Sequence, residues 1–287
     1  MKLEEIKTIA IAGAGTMGQG IAQMCAMTGH KTILFDINAD MLSVAEKNIT
    51  KNLDKGIERG KVSEELKKSS LANISYTSEI KDLVCDVAIE AVIEKLEVKH
   101  SLFSQLEEIN SENCILATNT SSIPITQIAR PLKRPENVVG MHFFNPAHIM
   151  KLVEVISGAA TKPEIAELIK ELAIKLGKKP VMAADSPGFI VNRVARHFYV
   201  EGLKLAEERV ANFETIDKLI ESSGFKMGPY RLMDLIGVDT NFSVTSSMFE
   251  SFKFDSKFRP SRIQEMKVMA GHNGRKSGKG FYDYSDK

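Results

Sequence analysis

An α/β domain built on a mostly parallel sheet, followed by an all-α C-terminal domain, is the fold class that the sequence predicts. Three observations carry that prediction. Short apolar runs alternate with helical patterns from Thr8 to Asp185, as parallel strands with crossover helices require. A glycine-rich turn, Gly13-Ala14-Gly15-Thr16-Met17-Gly18, joins the first apolar run to the first helical pattern. Beyond Ser186-Pro187-Gly188 the pattern is helical, with no convincing strand before the tail. The boundary falls at that Pro-Gly break, giving domains at 1–186 and 187–287.

The composition narrows the function classes. With 287 residues and 43% hydrophobic content the chain can bury a large core in two domains. A net charge of +1 gives no reason to expect nucleic acid or an anionic membrane. No apolar run reaches membrane-spanning length, and the acidic N-terminal residues do not suit a signal peptide. Cys25, Cys85 and Cys114 are far apart in apolar surroundings and show no metal or redox spacing. These features predict a soluble, cytoplasmic protein with buried reduced thiols and no metal.

The elements follow in order. Thr8-Ile9-Ala10-Ile11-Ala12 reads as a strand, Ile21 to Ala26 as a helix face closed by Gly29, and Thr32-Ile33-Leu34-Phe35 as a second strand ending at Asp36. This is the setting that a Rossmann-type dinucleotide fingerprint requires. Gly13 makes the tight turn, Gly15 admits a pyrophosphate close to the backbone, and Gly18 lets helix and strand pack. The helix start at Thr16 and Met17 then faces the phosphates. Asp36 would accept hydrogen bonds from the adenosine ribose and repel a 2′-phosphate. Phe35 and Ile37 beside it bring no compensating positive charge, so NAD is expected rather than NADP.

Residues 38–71 form a charged helical excursion with no strand. Its basic run, 47–61, contains Lys55 and Arg59; it reads as a solvated helix face, or as a clamp over an anionic ligand. Residues 86–92 and 115–118 are further strands, with a helix between them, and the second leads into Asn119-Thr120-Ser121-Ser122. Ligands of such sheets bind beyond the carboxyl ends of strands, where Ser121 and the 94–99 loop both fall. Ser121 also suits the N-cap of a helix beginning near Pro124. Thr161-Lys162-Pro163-Glu164 reads as a capping box before a helix that Gly177 ends, and residues 180–185 as the last strand. Helices are expected at about 189–209, from 214 with Ile216, Leu219 and Ile220 buried, and at about 232–236, 240–252 and 261–270. The Gly- and Lys-rich tail would be anchored by Phe281-Tyr282-Asp283-Tyr284, and a helical array of this kind often buries a dimer face.

The stretch 140–156, G-M-H-F-F-N-P-A-H-I-M-K-L-V-E-V-I, carries the chemistry. Asn145-Pro146 separates two apolar runs, each a short buried strand, and each run holds one ionisable group: His142 and Glu154. Buried polar groups need partners, and these two can serve each other. A histidine held by a carboxylate is a general base near neutral pH.

On these residues the chain resembles the short-chain 3-hydroxyacyl-CoA dehydrogenases, including the bacterial 3-hydroxybutyryl-CoA dehydrogenases. The resemblance covers nearly the whole chain: G-A-G-T-M-G at 13–18, I-E-A-V at 89–92, T-N-T-S-S at 118–122, M-H-F-F-N-P at 141–146 and M-K-L-V-E-V at 150–155. It continues with S-P-G-F-I-V-N-R at 186–193, M-G-P at 227–229 and G-R-K-S-G-K-G-F-Y at 274–282. The resemblance implies NAD-dependent oxidation of a (3S)-3-hydroxyacyl-CoA by a homodimer formed through the helical domain. It implies His142 as the base, Glu154 as its orienting carboxylate, and Ser121, Asn145 and Asn192 as the groups holding the substrate oxygen and the histidine. Asp36 matches the ribose binder, Glu94, Lys99 and Asn119 further cofactor contacts, and Lys55 and Arg59 residues that meet CoA. Two alternatives stay open: a non-catalytic NAD-binding protein, and a dehydrogenase acting on a CoA-free hydroxy acid. The chain departs from the pattern at Ala147-His148-Ile149, where relatives carry a small residue, proline and valine.

Overall fold

A computed structural model describes residues 1–285 and divides into two compact units, Met1–Ser186 and a second that begins at Pro187. In the first, strands β1 (Thr8–Ala12), β2 (Lys31–Phe35), β3 (Ile74–Thr77), β4 (Val87–Glu90), β5 (Ile115–Thr118), β6 (Val138–Phe143), β7 (Leu152–Ser157) and β8 (Lys179–Ala184) form one sheet. Their order is β3-β2-β1-β4-β5-β6-β7-β8. Every neighbouring pair is parallel except β6 with β7. The helices between them are α1 (Thr16–Met27), α2 (Ala39–Glu58), α3 (Glu64–Ala72), α4 (Leu96–Ile109), α5 (Ile125–Ala129) and α6 (Pro163–Lys175).

Successive strand residues point to opposite faces, and the core shows it. Ile9, Ile11, Val87, Ile89, Ile115, Ala117, Val139, Met141, Val153 and Val155 join one apolar cluster with α1, α2 and α6. Glu90, Thr118, His142 and Glu154, one step out of phase, therefore share the other face. Both groups are almost fully buried. That second face is covered in part by α5, since a Cβ on Gly140 would lie 2.8 Å from Ile125 Cδ1.

The second unit is helical: α7 (Val191–Glu207), α8 (Phe213–Ser222), α9 (Pro229–Ile236), α10 (Val238–Ser251) and α11 (Arg262–Met269). Tyr199, Leu203, Ile216, Tyr230, Met233, Val238 and Phe281 form its core. Two buried aspartates organise it. Asp217 accepts from the amides of Tyr230 and Arg231 and from the Tyr282 hydroxyl. Asp234 accepts from the amides of Phe281 and Tyr282 and the Tyr284 hydroxyl, which docks the tail as the aromatic run suggested.

Several local expectations are corrected. β3 is a strand that sequence reading missed, a short edge strand with one buried residue. Ser121 does not cap α5: the N-cap position is Pro124, and the Asp185 carboxylate takes the amides of Ile125 and Thr126. Thr161 is no capping residue either; its hydroxyl donates to the Val138 carbonyl and accepts from the Gly158 amide. Leu219 is 70% exposed rather than buried.

Candidate active site

The site in the first unit is assembled from the carboxyl ends of β1, β2, β4, β5 and β6. At the end of β1 the backbone turns sharply. Gly13 has φ +108°, and a Cβ there would come within 2.6 Å of the Ala91 carbonyl after β4. A Cβ on Gly18 would sit 1.7 Å from the Gly13 carbonyl oxygen, so α1 can approach the turn only with glycine at this position. Gly15, at the N-cap of α1, has no heavy atom within 4 Å of where its Cβ would be, and no side chain caps the helix. The first-turn amides, Thr16 and Met17 among them, thus open onto bare backbone, which suits a pyrophosphate. Asp36, at the end of β2, accepts the Ala14 amide at 2.8 Å through Oδ2 and the Asn38 amide at 3.0 Å through Oδ1. Ile37 beside it is 87% exposed. A carboxylate has about four acceptor positions, so capacity for ribose hydroxyls remains. These residues fit NAD.

Between β4 and β5 lies a polar cluster that sequence reading only partly found. The Lys99 ammonium, 1% exposed, lies 2.6 and 2.8 Å from the two carboxylate oxygens of Glu90 and 3.1 Å from Glu94 Oε2. Thr118 Oγ1 and the Val92 amide also donate to Glu90. Glu94 Oε1 accepts from Thr120 Oγ1, the Ser121 and Ser122 amides and Ser122 Oγ. Burial pushes the Glu90 carboxyl up, against Lys99 and its other donors. Glu94 is also raised by burial, but the Lys99 charge and the hydrogen bonds from Thr120 and Ser121 outweigh this and hold it below the usual carboxylate range. Lys99 and Glu94 therefore shape the turn bearing Ser121. Asn119, two residues before Ser121, accepts the Phe143 amide at 2.8 Å and so ties the end of β5 to β6. Glu90, Thr118 and Thr120 went unassigned in the sequence; the only signal was a Glu inside an otherwise apolar strand.

His142 and Glu154 are directly paired across the antiparallel β6–β7 ladder. His142 Nδ1 lies 2.8 Å from Glu154 Oε2, with the two residues 6% and 1% exposed. The Phe144 ring packs 4.6 Å from the imidazole, centroid to centroid. With the carboxylate accepting, Nδ1 carries the proton and Nε2 is the basic nitrogen. Asn145 is exposed just beyond β6, and its bond to Pro146 is cis. His148 is half-buried, and burial followed by the charge of Lys178 lowers its pKa.

The other predicted residues belong to other elements. Lys55 is exposed in the last turn of α2 and Arg59 is exposed at its C-cap. Asn192 stands in the first turn of α7, in the second unit. Cys25, Cys85 and Cys114 are buried thiols.

The chain is similar to known proteins over nearly its whole length. A family model described as "3-hydroxyacyl-CoA dehydrogenase, NAD binding domain" matches residues 8–186, and one described as "3-hydroxyacyl-CoA dehydrogenase, C-terminal domain" matches residues 188–284. The chain is 47% identical to the 3-hydroxyadipyl-CoA dehydrogenase of Escherichia coli (strain K12), over 97% of its own length and 59% of that relative's. It thus spans under two thirds of that protein. It is 42% identical to a probable 3-hydroxybutyryl-CoA dehydrogenase of Bacillus subtilis (strain 168), over 99% of each chain. The crystal structure of (S)-3-hydroxybutyryl-CoA dehydrogenase from Ralstonia eutropha superposes with a TM-score of 0.94 at 38% identity, covering 98% of this chain and 100% of that one.

Proposed function

The chain belongs to the 3-hydroxyacyl-CoA dehydrogenase family, and from that premise we propose that it oxidises (3S)-3-hydroxyacyl-CoA, 3-hydroxybutyryl-CoA included, to the 3-oxoacyl-CoA, reversibly. The observation that carries the proposal is the buried His142–Glu154 pair, 2.8 Å apart and directly opposed across two strands. Gly13, Gly15, Thr16, Met17, Gly18 and Asp36 would hold NAD, which would supply the hydride acceptor. The substrate's C3 hydrogen leaves with its bonding pair as the hydroxyl proton passes to His142 Nε2, and the C3–O bond becomes a carbonyl. Glu154 holds the Nδ1–H tautomer and stabilises the imidazolium as it forms, the role of a buried acid in triad chemistry. Ser121, positioned through Glu94 and Lys99, hydrogen-bonds the substrate oxygen together with Asn192. Asn119 keeps the end of β6 in place through the Phe143 amide, and Asn145 helps to hold the catalytic histidine. In the reductive direction His142 donates the proton.

Lys55 and Arg59 would meet the CoA phosphates, as point charge and fork respectively. The second unit exposes Val194, Leu219, Phe225 and Met269 by more than half, which supports a homodimer through this unit. No helix among the described residues is long and apolar enough to cross a membrane; with three buried thiols, we place the protein in the cytoplasm.

One assay series tests the reading: initial rates with acetoacetyl-CoA and with free acetoacetate, each with NADH and NADPH, for the wild type and His142→Gln. Activity should need the CoA ester and NADH, and the variant should lose at least ~10²-fold in kcat while still binding NADH. Equal kcat/KM for the two substrates would place the activity on a CoA-free hydroxy acid. A fully active variant would remove His142 from the mechanism. A preference for NADPH would refute the role given to Asp36.

A further inference from the structure

The loop that follows β6 is held by a residue to which no role has so far been given. Residues 146–150 make a single helical turn, with the amides of Ile149 and Met150 donating to the Pro146 carbonyl at 3.0 and 2.9 Å. A lone turn leaves its last carbonyls without partners from its own backbone. Lys178 Nζ supplies them, donating to the carbonyls of Ala147 and Met150 at 2.5 and 2.7 Å. On another side the turn abuts α1, where a Cβ on Gly20 would lie 3.2 Å from Ala147 Cβ and 3.5 Å from the His148 amide nitrogen. Ala147 is 1% exposed, so the turn is set firmly between a helix backbone and an ammonium group.

Lys178 is well anchored for this task. It sits between Gly177, which ends α6 with φ +75°, and the start of β8, and its own amide bonds the Ala173 carbonyl. The next residue, Lys179, donates its amide to the Lys151 carbonyl at 2.7 Å, so the exit of the loop is stitched to the same joint. The side chain is 8% exposed and makes no ion pair with a carboxylate among the described residues. The neighbouring Cys25 cannot balance its charge, since burial pushes that thiol up to about 12 and keeps it neutral. Burying an ammonium opposite carbonyl dipoles alone is costly, and an apolar side chain of similar length would fill the space without that cost. The charge is therefore explained by what it grips. Its grip lies five and eight residues beyond His142, in the loop that also carries Asn145.

We infer that Lys178 is a positioning residue for the reaction: its ammonium caps the turn after β6 and thereby holds Asn145 and the end of β6 in register with the His142–Glu154 pair. The inference rests on the dehydrogenase reading above. Capping acts on the placement of reacting groups rather than on the dinucleotide fold, so its loss should appear in turnover and leave NADH affinity in place.

The test is Lys178→Met, which keeps the length and removes the donors, assayed with acetoacetyl-CoA and NADH. NADH binding is titrated by fluorescence to count competent sites, and His142→Gln is run beside it. A fall of ~10- to 10²-fold in kcat per NADH site, with NADH affinity kept within about threefold, supports the inference, since misplacement on the ångström scale costs that much. Wild-type kcat per NADH site overturns it, as does a loss explained wholly by fewer binding sites and a lower melting temperature. If the methionine variant does not fold, Lys178→Leu, which also lacks donors, is judged by the same criterion. Should His142→Gln also retain full turnover, the acid–base reading itself fails, whatever Lys178 does.

Discussion

Replacing Glu154 by Gln isolates what its charge contributes, because the amide keeps the size and one acceptor of the carboxylate. His142 Nδ1 and Glu154 Oε2 are 2.8 Å apart with both side chains buried. The charges are delocalised over the ring and the carboxylate, so their centres are about 4 Å apart, and an effective dielectric of about 20 gives ~4 kcal/mol for imidazolium against carboxylate. The glutamine acceptor recovers about 1 kcal/mol through its hydrogen bond. On the proposed mechanism the remaining ~3 kcal/mol would stabilise the imidazolium that forms as the substrate hydroxyl loses its proton, which corresponds to ~10²-fold in rate. The suitable assay is oxidation of (3S)-3-hydroxybutyryl-CoA with NAD, followed by NADH formation. On the proposed mechanism the imidazolium forms only along the reaction in that direction, so the charge interaction is realised in the transition state rather than in the ground state. Glu154→Gln should lose ~10²-fold in kcat, with NADH affinity within about twofold of wild type. A folded variant with kcat within about threefold of wild type would show that the carboxylate only fills space, and the electrostatic argument would be wrong.

Two other outcomes follow from the geometry. Glu94→Gln removes the charge that Lys99 and the Ser121 turn hold; Glu94's folded pKa is lowered, so its contribution to stability is present above the ordinary value of 4.5 and lost as pH falls through the lower folded value. Between neutral and acid pH, denaturant melts of the wild type should therefore lose more stability than those of the variant, and parallel losses would refute this. Asp234→Ala strands the amides of Phe281 and Tyr282 and the Tyr284 hydroxyl, which should cost ~2–4 kcal/mol. Limited proteolysis should then cut the tail first; unchanged melting and an uncut tail would show that Asp234 does not hold it.

The sheet was legible where its strands are buried on both faces and the glycines obey hard sterics. The Gly13–Gly18 turn is a case in point: a Cβ at Gly18 would overlap the Gly13 carbonyl, so the turn's spacing follows from local geometry. His142 and Glu154 stood out because each is the only ionisable residue in an apolar strand. β3 did not stand out, since an edge strand with the burial of Ile74 alone gives little apolar signal. Asp185 caps α5 from about sixty residues away, and no local pattern announces a cap supplied from such a distance. Lys178, beside a helix-ending glycine, reads as a surface lysine until its carbonyl partners are placed. Leu219 fits the apolar stripe of α8 yet is exposed; periodicity identifies a stripe but not which neighbour covers it.

The reversal of strand direction at β7 is what turns these readings into a site. Only residues 144–151 join β6 to β7, too few for the crossover that a parallel neighbour would need. β7 must therefore run antiparallel, and antiparallel pairing sets residues directly opposite one another. His142 meets Glu154 because the register also pairs Met141 with Val155 and Phe143 with Val153. A slip of one residue would carry Glu154 to the apolar face packed by α1 and α6 and leave a buried charge among Val139, Met141 and Ala173. The apolar neighbours of the pair thus enforce its register as strictly as the pair itself does. The loop length that fixes the direction of β7 also contains the turn gripped by Lys178. Strand direction, register and loop capping are three constraints on one distance, the 2.8 Å between Nδ1 and Oε2.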